Sequence, residues 1–174
     1  MLHSPLPPSA QRVADAAAAL GLTIDIVTFA QSTRTAEDAA AAVGCEVGQI
    51  VKSLVFTVGG EPVMALVSGK NQLDTRKLAG LFGVGRKQVE RAGADTVRAA
   101  TGYAIGGVPP FGHATAMPVL VDEDLTTYDI IWAAAGTPNT VFAVVPADLV
   151  RASGGTTADL AVPAAPSLAP PGEG

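Results

Sequence analysis

Two local features of this chain have residue types and spacing suited to chemistry. The first is Lys52, set in the apolar run 49–58, QIVKSLVFTV. Strand alternation puts Ile50, Lys52, Leu54 and Phe56 on one face and Val51, Ser53 and Val55 on the other. A lysine among large apolar side chains is either functional, or an edge residue that blocks aggregation or snorkels to solvent. The second feature is the segment 101–112, TGYAIGGVPPFG, with four glycines and two prolines in twelve residues. Glycine lets backbone approach a ligand closely, and proline stiffens a loop in advance. Such a loop either presents preformed N–H groups to a carbonyl or oxyanion, or simply turns the chain.

Other chemistries lack their residues. Two histidines, His3 and His113, and one cysteine, Cys45, make no metal-site spacing, and neither HExxH nor CxxC occurs. No metal or cofactor is expected. There is no GxSxG elbow and no GxxxxGK[ST] loop, and the segment GYAIGG, 102–107, fails the dinucleotide pattern. The acidic run Asp122-Glu123-Asp124 reads as a solvated turn.

The elements that must position Lys52 and the loop are legible as a coarse pattern. Ser9 is read as the cap of an Ala-rich helix over 9–20, followed by a strand over 23–29. Thr35 caps a second Ala-rich helix that stops at Gly44. Runs 49–58 and 62–67, joined by Gly59-Gly60-Glu61, predict a β-hairpin. Asp74 and Asp95 are read as caps of two further helices, with a short strand over 87–90 between them. Strands over 117–121, 129–134 and 140–145 precede a short helix opened by Pro146. These elements predict an α+β fold, a mixed and mostly antiparallel curved sheet (a partial barrel) flanked by helices. Residues 1–152 form one expected domain, and 153–174 an expected flexible Gly/Ala/Pro-rich tail.

The 174 residues are 48% hydrophobic but only 5% aromatic, so the core must be aliphatic. Apolar runs fall well short of the roughly 18 residues a spanning helix needs. No secretion signal is read at the N-terminus, and a cytoplasmic location is the default expectation. Net charge is −5, yet seven of eleven basic residues lie between 70 and 98 against three acids. Within that segment Lys70, Arg76, Lys77, Arg86 and Lys87 are candidate contacts to a polyanion, or an ordinary solvated helix surface.

Lys52 within VKSLVF (51–56) and the segment ATGYAIGGVPPFG (100–112) together resemble the YbaK/ProX family. Its members are trans-acting relatives of the editing domain inserted in bacterial prolyl-tRNA synthetase. TAEDAA (35–40) and AGTPNTVFAVVPADL (135–149) add to the likeness, which spans about residues 22–149. The resemblance implies a deacylase that hydrolyses the ester of mischarged aminoacyl-tRNA, with a small residue such as alanine or cysteine on the tRNA for proline. The family's invariant lysine falls on Lys52, and its GxxxP loop on Gly106 to Pro110. That implies catalytic roles for Lys52, Gly106 and Gly107, whose amides would bind an oxyanion. Thr35, Ser53, Tyr103, Pro110, Phe111 and Asn139 are the expected substrate contacts; some relatives carry a histidine near Asn139. Aminoacyl-tRNA is the expected partner, with an aminoacyl-tRNA synthetase as an optional one.

Two other functions fit the same residues. A non-catalytic module of this fold, binding tRNA, another nucleic acid or a synthetase, would keep the basic segment without needing Lys52. A hydrolase of other small acyl esters or nucleotides would keep Lys52 and the loop without tRNA.

Overall fold

A computed structural model of the protein describes residues 5–163. In chain order the elements are α1 (Pro8–Ala19), β1 (Ile26–Thr28), α2 (Ala36–Val43), β2 (Val51–Val58) and β3 (Glu61–Ser68). There follow α3 (Thr75–Leu81), β4 (Val89–Arg91), α4 (Ala94–Thr101), β5 (Val119–Asp122), β6 (Ile131–Ala134), β7 (Thr140–Val144), α5 (Pro146–Ser153) and β8 (Thr156–Ala158). The α+β class holds, as two sheets instead of one. One is five-stranded, in the order β4-β2-β3-β5-β8, and the other is three-stranded, β1-β7-β6. β5 runs parallel to both β3 and β8, and the remaining pairings are antiparallel. A single bridge, Ile50 to Trp132, links the sheets at one corner, so they wrap around the core without closing into a barrel.

The β2–β3 hairpin is the spine. Gly59 and Gly60 have φ of 58° and 87°, and two positive φ values in a two-residue turn match the twist of the flanking strands. The turn fixes the register that pairs Lys52 with Val67 and Ser53 with Leu66. Both faces of β3 are covered. Met64 and Leu66 join the core between the sheets with Val51, Val55, Ile131 and Phe142. Val63, Ala65 and Val67 join a second core under α3 with Leu78 and Leu160. That two-sided burial explains the unbroken apolar run of β3.

Several boundaries move for physical reasons. Helix α1 starts at Pro8 with no side-chain cap, displacing Ser9 from that role; proline at the first helical position loses no hydrogen bond. Thr35 and Asp74 do cap, accepting from the amides of Asp38 and Arg76. Asp95 is not a cap; Gly93 is, and Asp95 sits in the first turn of α4, where the helix dipole favours an acid.

The expected tail boundary at 153 is also corrected. Ser153 ends α5, β8 extends the large sheet, and the Leu160 side chain is fully buried. A sequence rich in Gly and Thr hides this, because the segment contributes one anchor leucine instead of an amphipathic pattern. The rest of the expected tail, 164–174, lies outside the described residues, as does His3.

Burial of Leu160 makes a direct prediction. Leu160→Ala should lower stability by about 2–5 kcal/mol, read from the midpoint of urea denaturation. A change below about 0.5 kcal/mol would place the segment outside the cooperative fold.

Candidate active site

A cavity of about 320 Å³ opens where the two sheets meet at their bridged corner. Its walls come from the N-terminal side of α2, the first half of β2, the end of β4, the glycine-proline loop and β6 with the turn after it. This size accommodates a small aminoacyl group and part of its carrier. The residues on its wall include three cations, Arg34, Lys52 and Arg91, and, among the described residues, no carboxylate or histidine. Every charged residue on that wall is a cation, which favours an anionic ligand.

Lys52 reaches the cavity from the third residue of the apolar run beginning at Ile50. It is half-buried, and its ammonium donates to the backbone carbonyl of Asn71 in the turn after β3. Burial pushes its pKa below the usual lysine range by disfavouring the charged form; nearby Arg91 acts in the same direction, while Glu37 and Asp122 oppose it. An ammonium has three donors, and Asn71 occupies one.

Gly106 faces the same cavity with φ of +94°, a conformation natural to glycine. Among the described residues no protein acceptor takes the N–H of Gly106, or that of Val108, which also lines the cavity. Gly107 does not fit the expected oxyanion role. Its N–H already donates to the Ala104 carbonyl at 3.0 Å, and its own carbonyl accepts from Gly136 at 2.9 Å. A Cβ there would lie 2.6 Å from the Gly136 oxygen, so this glycine exists to let two loops touch. The GG pair therefore divides its work: one residue opens to the cavity and the other packs.

The remaining expected contacts separate in the same way. Thr35 and Ser53 line the cavity. The Ser53 hydroxyl is buried with no hydrogen-bond partner among the described residues, beside a recess of about 20 Å³ walled by Leu54, Val97 and Val108. That volume holds one water-sized group. Tyr103 and Phe111 are core residues unavailable for stacking on a base. Tyr103 lies under the Arg12 guanidinium at 4.5 Å, and Phe111 packs on Phe142 with centroids 5.7 Å apart. Pro110 is buried behind the loop. Asn139 braces its neighbours, donating to the Phe29 carbonyl and accepting from Thr137, while Thr137 and Pro138 form the wall.

None of the five expected polyanion contacts lines the cavity. Lys77 is committed to Asp159 at 2.8 Å and to the Ala161 carbonyl. Lys70 lies over the Tyr128 ring at 5.6 Å, and Arg86 reaches toward Thr75. Arg76, Arg86 and Lys87 are exposed. The cavity cations besides Lys52 are Arg34, outside the basic segment 70–98, and Arg91, within that segment but not one of the five.

The acidic run 122–124 is also not the solvated turn its composition suggests. Asp122 is only 1% exposed and accepts from the Ser68 amide at 3.0 Å and the Asn71 side chain at 2.8 Å. Asp124 accepts from the same Asn71 amide group at 2.7 Å. His113 is half-buried and sits against the Pro109 carbonyl, and burial holds its pKa below the usual histidine value. Cys45 is half-buried; burial and then Glu46 raise its thiol pKa, which marks it as unreactive.

The chain is similar to known proteins in sequence and in fold. The family model of the aminoacyl-tRNA editing domain matches residues 30–152. EbsC of Enterococcus faecalis, named as a candidate Cys-tRNA(Pro)/Cys-tRNA(Cys) deacylase, is 34% identical over 128 residues, 72% of this chain and 76% of that protein. The proline–tRNA ligase of Maridesulfovibrio salexigens is 41% identical over 93 residues, 53% of this chain but 16% of the ligase. A crystal structure described as a candidate trans-editing enzyme for prolyl-tRNA synthetase superposes with a TM-score of 0.86. It is 47% identical, and the match covers 91% of this chain and 100% of that one. Matched by the family model over most of its length and similar in fold to these relatives, the chain belongs to the aminoacyl-tRNA editing domain family.

Proposed function

We propose that this protein hydrolyses the ester that links a wrongly attached small amino acid to tRNA, with the tRNA for proline as the carrier. The observation that carries the reading is the cavity wall itself: three cations, open backbone amides at Gly106 and Val108, and no acidic side chain. That composition suits a substrate with a phosphate on one side and a carbonyl that gains negative charge on the other. The kinship with EbsC and with the proline–tRNA ligase supports the same substrate class.

The chemistry asks little of the protein, because an aminoacyl ester is already activated. Water adds to the carbonyl carbon, and the developing oxyanion accepts from the Gly106 and Val108 amides. Lys52 directs its remaining donors to the terminal phosphate or the ester. No side chain on the wall is a carboxylate or histidine, so the free ribose hydroxyl of the substrate takes the proton from water and relays it to the departing ribose oxygen. The products are the free amino acid and tRNA. Arg34 and Arg91, at the rim, hold the phosphates leading into the cavity.

Deacylation of a panel of mischarged tRNAs under single-turnover conditions tests this reading. Lys52→Ala should slow hydrolysis about 10- to 100-fold, the value of a charge-assisted hydrogen bond or two. Equal ester lifetimes with wild type, with Lys52→Ala and without protein would leave only a binding module.

The working form of Lys52 in this scheme is the ammonium. Its pKa lies below the free lysine value of about 10.4, so the rate, corrected for spontaneous ester hydrolysis, should fall as pH rises through that lowered value. Lys52→Arg should remove that falling limb. A limb that rises with pH would make the amine a general base.

Arg34→Glu and Arg91→Glu should each raise KM several-fold with a smaller change in kcat, and both effects should shrink at high salt. Unchanged KM in both would move the tRNA path away from this rim.

A further inference from the structure

The sequence around Asn71 reads as an ordinary turn, Ser68-Gly69-Lys70-Asn71, and an ordinary turn needs one hydrogen bond. This one has many. The Asn71 amide donates to Ser68 at 2.9 Å, which closes the turn, and the Ser68 hydroxyl donates to the Gly48 carbonyl at 2.6 Å. A Cβ at Gly69 would lie 2.3 Å from the Val47 carbonyl, so the turn is pressed against the backbone before β2. On its other side, both hydrogens of the Asn71 side-chain amide are spent on carboxylates, one on Asp122 and one on Asp124. Asp122 is saturated too: its second oxygen accepts the Asp124 amide at 2.9 Å.

Bringing two carboxylates onto one amide group is unfavourable, and burying one of them more so. A surface turn would not need this arrangement. What it does achieve is to fix the carbonyl of Asn71, and that carbonyl receives the Lys52 ammonium. A lysine has four flexible carbons, and its rotamer entropy opposes any single direction for its amine. Among the described residues Lys52 makes no salt bridge. A neutral carbonyl orients the ammonium without cancelling its charge, whereas a direct carboxylate would quench the field that an anionic substrate feels. The negative charge sits one residue further out, on Asp122, which with Glu37 of α2 opposes the effects of burial and of Arg91 on β4.

We infer that Asn71, anchored by Asp122 and Asp124, is a positioning residue that holds the Lys52 ammonium at one fixed point beside the cavity while leaving it without a carboxylate partner. This rests on the proposed role of Lys52 for its consequence in catalysis, but not for its structural content.

Two readouts separate the claims. The first is NMR of the Lys52 Cε methylene, with exposed Lys87 as an internal control. Wild type should show two inequivalent Hε resonances for Lys52, and Asn71→Ala should average them toward the Lys87 pattern. Asp124→Ala, which removes a half-buried anchor and leaves Asp122 in place, should do so partially and keeps the test valid if Asn71→Ala folds poorly. Unaltered Lys52 resonances in a folded variant of either kind overturn the inference, whatever the activity.

The second readout is single-turnover deacylation. Asn71→Ala should slow it about tenfold in the wild-type background but less than twofold when Lys52 is already alanine. Equal slowing in both backgrounds would mean a general structural role and would also overturn the inference. If wild type itself hydrolyses no mischarged tRNA, the proposed function has failed, and the methylene resonances alone decide the positioning role.

Discussion

A positive charge held part-way out of water, with no counter-ion in contact, is the constraint around which this molecule is built. The ammonium of Lys52 loses hydration on β2, and Arg91 adds repulsion from the neighbouring strand. Nature's usual remedy, a paired carboxylate, is absent among the described residues. The remedy used is a carbonyl at a fixed point, plus buried Asp122 at one remove. A rigid hairpin is needed for that remedy to work. Lys52 and the turn that receives it lie at the open end of the same two-stranded ladder, whose register is set by Gly59 and Gly60 at the far end. Parallel β5 then delivers Asp122 alongside β3.

The second requirement is backbone close approach. Gly107 and Gly136 touch across two loops, with a carbonyl of one bonded to the amide of the other, and neither position has room for a Cβ. Gly136 in turn lies against the first turn of α1, where a Cβ would fall 2.6 Å from the Ser9 backbone. The loop that presents Gly106 is thus clamped from behind by β6–β7 and by α1. Rigid amides lose little on meeting a developing charge, which is where electrostatic catalysis gains most. The prolines at 109 and 110 are buried within this clamp, so their part is stiffness and not contact.

Much of this could be read in the sequence, and the limits are instructive. The hairpin, the caps at Thr35 and Asp74, and the prominence of Lys52 and of the glycine loop follow from local chemistry, so local reasoning finds them. Gly107, Tyr103 and Phe111 lie in the same conspicuous motif but face inward, because only tertiary packing decides which residues of an irregular loop point to a cavity. Arg34, Arg91 and Trp132 reach the cavity from separate elements, and no spacing along the chain connects them. Asp122 departs from its local pattern for a related reason. A run of three acids suggests solvent, yet strand β5 ends on its first member and buries it against a turn fifty residues earlier. Leu160 shows the same blindness at the C-terminus, where a single anchor fastens a segment of low-complexity composition.

In the proposed reaction, the unpaired ammonium and the open glycine-loop amides act on one ester in one cavity. A crystal structure with a hydrolysis-resistant analogue, 3′-amino-3′-deoxyadenosine carrying alanine through an amide in place of the ester, provides the decisive test. The analogue's carbonyl oxygen should lie within hydrogen-bonding distance of the Gly106 amide, with Lys52 donating to the analogue while still bonded to Asn71. An analogue seated in the cavity with its carbonyl turned away from the loop, or with Lys52 rotated off Asn71 and out of contact, would contradict it.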